Sequence, residues 1–119
     1  MPDSDTRLKV LQDDGVTVVE FQDRNILDEA NIQQIGDEIG RLIDEALVPK
    51  IIICFKNVDH LSSAALGTLI TINNKVRQKD GQLRLCDIDE QIYEVFVITK
   101  LNKLFNIDDD VDAARKKLS

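Results

Sequence analysis

No apolar run in this sequence approaches the roughly 18 residues of a membrane-spanning helix. Its first residues, MPDSDTR, are acidic and polar where a secretory signal is basic and then apolar. The chain therefore reads as cytoplasmic. Cations are in short supply: 15 Lys and Arg stand against 22 Asp and Glu, a formal charge of −7. Nucleic acid is held by clustered Lys and Arg whose counterion release drives affinity, so that function class is excluded, and a membrane-surface role is disfavoured with it. Cysteine occurs only twice. Cys54 and Cys86 each close an apolar run without CxxC or Cys/His spacing, so they read as buried, reduced thiols rather than as a metal or redox centre.

Catalytic motifs are missing as well. His60 is the single histidine. No G-x-S-x-G elbow accompanies it, and a nucleophile needs a base that a third group orients, so His60 reads as a solvated loop residue. No G-x-G-x-x-G or P-loop follows a strand, which leaves a nucleotide without its phosphate cradle. The apolar run ends Ile53-Cys54-Phe55-Lys56 where a phosphoacceptor Asp would stand. Asp108-Asp109-Asp110 lacks the alternate spacing and the glycine of a calcium loop, and fits helix-start capping better. The expectation is a chain that is no enzyme and holds no cofactor or metal.

What is present is globular: 43% hydrophobic and 31% charged residues, two prolines, and a length that fits one domain over 1–119, with no linker, repeat or low-complexity stretch. Leu8–Gln12 and Val16–Phe21 are short β-rich runs around Asp13-Asp14-Gly15, a hairpin turn signal. Asp28 can cap a helix over Glu29–Leu47, whose Ile32, Ile35, Ile39, Leu42, Ile43 and Ala46 form one stripe. Pro49 stops it. The continuous apolar run Lys50–Phe55 then predicts a central strand covered on both faces. Leu66, Leu69, Ile70, Asn73 and Val76 mark a second helix ending at Asp80-Gly81, with Gly81 as the left-handed residue. Lys75, Arg77 and Lys79 read as its solvated face. A strand at Gln82–Cys86 follows, then a helix over about Asp89–Thr99 with Ile92, Val95, Phe96 and Thr99 inward. A short strand at Lys103–Ile107 and a last helix at Val111–Leu118 complete the chain. The expected fold class is α/β: an N-terminal β-hairpin feeding alternating β/α units, a mixed sheet packed with about four helices.

Between strand and second helix stands HLSSAALGTLI, His60–Ile70. One of Ser62 and Ser63 is explained as the helix N-cap, worth about 1 kcal/mol. The other is not, and neither are the small residues Ala64, Ala65 and Gly67, which leave the helix start open to a partner backbone. A phosphate here would add roughly −1.5 to −2 charges at a helix N-terminus, which tolerates an anion; it would spare the fold and change what docks.

The run Ile51-Ile52-Ile53-Cys54-Phe55-Lys56-Asn57-Val58, then Leu61-Ser62-Ser63-Ala64-Ala65-Leu66-Gly67, resembles the STAS domains of bacterial anti-sigma factor antagonists. The resemblance continues through Lys79–Cys86 and Val95–Leu101, with Phe105 and Ile107. It implies a module that binds an anti-sigma factor with Ser/Thr kinase activity, frees the sigma factor, is switched off by serine phosphorylation and is reset by a serine phosphatase. By position, Ser63 matches the phosphoacceptor, with Ser62 the alternative. Asn57, Asp59, His60, Leu61, Ser62, Ser63, Ala64, Ala65 and Gly67 would form the docking surface of a monomer or weak homodimer. Three positions depart from the family pattern: Ser62 stands for its Asp, Ala65 for its Gly, and Lys100 for the Gly of T-G-L. A constitutive STAS scaffold subunit in which both serines are only caps is the alternative.

Overall fold

The hairpin forms where β-rich segments flank an Asp-Gly turn. In the computed structural model, which describes residues 8–13, 15–22, 25–26 and 29–118, β1 (Leu8–Asp13) and β2 (Val16–Phe21) pair antiparallel, Leu8 opposite Phe21 and Asp13 opposite Val16. Gly15 takes φ 79°, which a glycine adopts without steric cost. β4 (Lys50–Cys54) lies parallel to β2, β6 (Gln82–Cys86) parallel to β4, and β7 (Asn106–Asp108) parallel to β6. The sheet order β1-β2-β4-β6-β7 is mixed, as expected, with β4 at its centre. Two further strands escaped the sequence pattern: β3 (Asn25–Ile26) and β5 (His60–Leu61) form a separate parallel ladder. His60, expected in a loop, thus lies in a strand.

Four helices are present among the described residues: α1 (Glu29–Glu45), α2 (Ser63–Gln78), α3 (Glu90–Ile98) and α4 (Val111–Leu118). Asp28, the expected cap of α1, lies outside the described residues. The central strand is covered twice over, because alternate side chains leave a strand on opposite faces. Ile51, Ile53 and Phe55 join Val19, Phe21, Leu83 and Leu85 against Ile32, Ile35, Ile39 and Ile43 of α1, Leu69, Ile72 and Val76 of α2, and Ile92 and Phe96 of α3. Ile52 and Cys54 face the other way, onto Val16, Val18, Cys86 and the Ala114 and Leu118 of α4. Phe21 and Phe55 meet edge to face at 5.1 Å, as do Phe96 and Phe105 at 5.8 Å.

Several local features differ from expectation. α1 stops at Glu45, not Leu47, which is 93% exposed. Its end is held by Lys79, whose Nζ donates to the carbonyls of Ile43 (3.0 Å), Asp44 (2.9 Å) and Ala46 (2.6 Å), while Lys75 pairs with Asp44 at 3.5 Å. That face of α2 is not merely solvated. The left-handed residue after α2 is Asp80 (φ 57°), not Gly81; the amides of Asp80 and Gly81 close onto the carbonyls of Arg77 and Val76. Gly81 is needed for space, since a Cβ there would stand 2.3 Å from the Pro49 carbonyl oxygen. The last strand begins only at Asn106, because a 3-10 turn at Leu101–Lys103 intervenes and delivers Phe105 to the core. On α3, Val95 and Thr99 point outward rather than in.

Candidate functional site

The two adjacent serines are divided by the helix they begin. Ser62 is extended (φ −85°, ψ 167°), and its Oγ accepts the Ala65 amide at 3.2 Å, so it is the N-cap. Ser63 is the first residue of α2 and is exposed. The helix period turns Ala65, Leu66 and Leu69 into the core and leaves Ser63, Ala64 and Gly67 in solvent. Gly67 has nothing within 4 Å of the place a Cβ would take. No acidic residue occupies the first turn of α2. The result is an open, small-residue helix front whose exposed hydroxyl is not the one that holds the helix.

The approach to this front is braced from below. The Asn57 Nδ2 donates to the Phe21 carbonyl at 3.3 Å and to Glu20 Oε1 at 3.4 Å, tying the turn after β4 to the end of β2. Val58 is buried and Asp59 half-buried, while His60 is exposed in β5. Asp59, His60 and Leu61 form one wall of a groove of about 130 Å³ whose other wall is Leu66 of α2 and Gln91, Ile92 and Val95 of α3. The structure thus sets Asp59, His60 and Leu61 along one groove, follows them with Ser62, Ser63, Ala64 and Gly67 at the start of α2, and gives Asn57 a bracing role. Ala65, expected on the docking surface, is instead buried in the core, because the helix period turns it inward. The α3 wall was not foreseen. Its signal was available: nine residues reading EQIYEVFVI carry more apolar side chains than one face can bury, and Tyr93, Val95, Val97 and Ile98 are 40–76% exposed.

A second group of chemically able side chains lies on the other face. Cys54 and Cys86 are free, buried and register partners across β4 and β6, and the Cys54 thiol donates to Asp87 Oδ2 at 3.3 Å. The hydrogen bond to Cys54 and burial both push the Cys86 thiol up from its ordinary value. Both cysteines are buried thiols as expected, but the fold brings together what the linear spacing kept apart.

Comparison with known proteins agrees with this architecture. BtrV of Bordetella bronchiseptica, provisionally named an anti-sigma factor antagonist, is 26% identical over 101 residues, 85% of this chain and 84% of its own. The structure of an anti-sigma-factor antagonist (STAS) domain protein from Planctomyces limnophilus superimposes with a TM-score of 0.83 at 19% identity, covering 94% of this chain and 97% of the other. The Bacillus cell fate determinant SpoIIAA, solved in its phosphorylated form, gives 0.70 at 15% identity, covering 92% and 98%. The STAS domain profile matches residues 7–114. On that match, which spans the hairpin, the mixed sheet and the front of α2, the chain belongs to the STAS domain family.

Proposed function

We propose that the chain is an anti-sigma factor antagonist of one STAS domain over residues 1–119, a cytoplasmic, non-enzymatic regulator acting as a monomer or weak homodimer. Its partner is an anti-sigma factor with Ser/Thr kinase activity, which docks on the front of α2 and the adjoining segment 57–61. Phosphorylation of Ser63 by that kinase ends the interaction, and a serine phosphatase restores it. The names of the relatives and the existence of a phosphorylated SpoIIAA support this reading.

One observation carries it: capping falls to Ser62, so the neighbouring hydroxyl of Ser63 stands exposed and can gain charge without loss of the helix. A dianion there sits at the partially positive N-terminus of α2, so the fold tolerates it. A partner surface shaped for a neutral hydroxyl does not, because it must desolvate that charge.

The test is phosphosite mapping of the tagged chain from its native cells, together with co-purification of a kinase-fold protein. The unsubstituted chain and S63A should retain that protein; S63E should not, at an unchanged melting temperature. Equal retention by all three, with no phosphate on Ser63 under any growth condition, overturns the proposal and leaves the constitutive scaffold reading.

A further inference from the structure

Two sulfurs and a carboxylate converge at the carboxyl end of the parallel strands, the sulfurs on the face of the sheet opposite α2. Cys54 ends β4 and Cys86 ends β6, and because they are register partners in a parallel ladder their side chains leave the sheet on the same side. Both are buried in the cluster that α4 closes with Ala114 and Leu118. Asp87 follows at once and takes φ 57°, a left-handed conformation that is uncommon outside glycine. It turns its carboxylate back onto the pair, Oδ2 lying 3.3 Å from Cys54 Sγ. The three donor atoms all lie within 4.8 Å of one another.

We propose that Cys54, Cys86 and Asp87 form a binding site for one thiophilic divalent cation of the zinc type. With Zn–S near 2.3 Å and Zn–O near 2.0 Å, tetrahedral ligation sets sulfur and oxygen about 3.5 Å apart and two sulfurs about 3.8 Å apart. The observed 3.3 Å between Cys54 Sγ and Asp87 Oδ2 is close to the first of these edges. Packing alone accounts for two small sulfur side chains in a core, but not for a carboxylate aimed at them. Two soft thiolates select zinc-type ions over calcium and magnesium, which take oxygen ligands. Binding exchanges protons for metal: the dication enters, both S–H bonds break, two protons leave to solvent, and the three anionic ligands meet the two positive charges. Asp87 is half-buried, so its side of the cluster admits the ion and a water in the fourth position.

Such an ion would clamp the end of β4, which leads into the 57–61 segment, to the connection before α3. Both walls of the groove would then start from one fixed point. This inference stands apart from the phosphorylation reading, because it concerns the opposite face of the sheet and different residues.

The reduced, metal-stripped full chain is titrated with Co²⁺ and then with Zn²⁺. Its cysteines are these two alone, so a sulfur-to-cobalt charge-transfer band in the unsubstituted chain must come from them. The band should saturate at one ion per chain, vanish on Zn²⁺ addition, be accompanied by release of two protons, and raise the melting temperature. C54S and C86S should each lose it; D87N, at the half-buried ligand, should weaken affinity at least 10-fold while the fold persists. Absence of the band from the folded, unsubstituted chain overturns the site, whatever the variants do. So does a stoichiometry of two chains per ion, or an affinity unmoved by D87N.

Discussion

Arg84 and Asp108 meet at two points, Nε to Oδ2 at 2.6 Å and Nη2 to Oδ1 at 3.3 Å, joining β6 to β7 where the Asp108 side chain is 1% exposed. Lys117 of α4 adds Nζ at 3.2 Å from Oδ1. Burial alone would raise the Asp108 pKa, but the hydrogen bonds and charges of Arg84 and Lys117 outweigh it and hold the carboxyl below its ordinary value. A depressed folded pKa means stability that is present above the unfolded value of about 3.9 and lost as pH falls through the folded one.

Asp108→Asn should therefore destabilise the chain at pH 7 by about 2 kcal/mol or more, since it leaves Arg84 facing a neutral amide in a largely buried place. Asn resembles the protonated acid, so the gap between variant and parent should close as pH falls below about 4. Urea unfolding at pH 7 and pH 3 measures both. A gap that persists unchanged in acid would show that Asp108 contributes by shape rather than by charge.

Gly81→Ala and Gly67→Ala should act with opposite sign. At Gly81 the new Cβ would stand 2.3 Å from the Pro49 carbonyl oxygen, which also accepts the Gln82 amide at 2.8 Å, so backbone must shift and the loss should exceed about 2 kcal/mol. At Gly67 nothing lies within 4 Å, and Ala in an exposed helix position should gain up to about 1 kcal/mol. If the proposed partner docks on the front of α2, the same G67A chain should bind it less tightly, because the methyl group stands on that open front. Chemical denaturation and a binding titration separate the two effects.

Ser62→Ala should cost about 1 kcal/mol through loss of the bond to the Ala65 amide, with partner binding retained when folding is complete. Ser63→Ala should change stability by less than about 0.5 kcal/mol, as for a surface position without a structural role. Thermal melts of the two variants distinguish the capping hydroxyl from the exposed one.

Lys79→Met should loosen the end of α1, because its ammonium serves three carbonyls there. The expected cost is about 1–3 kcal/mol for charge-assisted bonds at a helix C-terminus. Amide exchange should accelerate at the carboxyl end of α1 and in the loop before β4, more than in β6.

Much of this molecule was legible because its pattern is local. The unbroken run Ile51–Phe55 announced a strand buried on both faces, and Ile32, Ile35, Ile39 and Ile43 announced the helix that covers one of them. β3 and β5 were not legible, since two residues carry no period. The outward turn of Val95 is not legible either, because an apolar side chain on a short helix looks the same whether it faces core or groove. The pairing of Ser62 with a cap and Ser63 with solvent needed the exact start of α2, and helix boundaries are set by competing hydrogen bonds rather than by composition. The Cys54, Cys86 and Asp87 cluster depends on the register of β4 against β6, which no spacing along the chain reveals.

The eight residues of α4 are made after every strand they shelter. Until Ala114 and Leu118 arrive, Val16, Val18, Ile52, Cys54 and Cys86 have no lid among the described residues. A nascent chain on the ribosome, or one cut short before Val111, would thus carry a greasy, strand-edged flank of the kind chaperones hold and aggregates recruit.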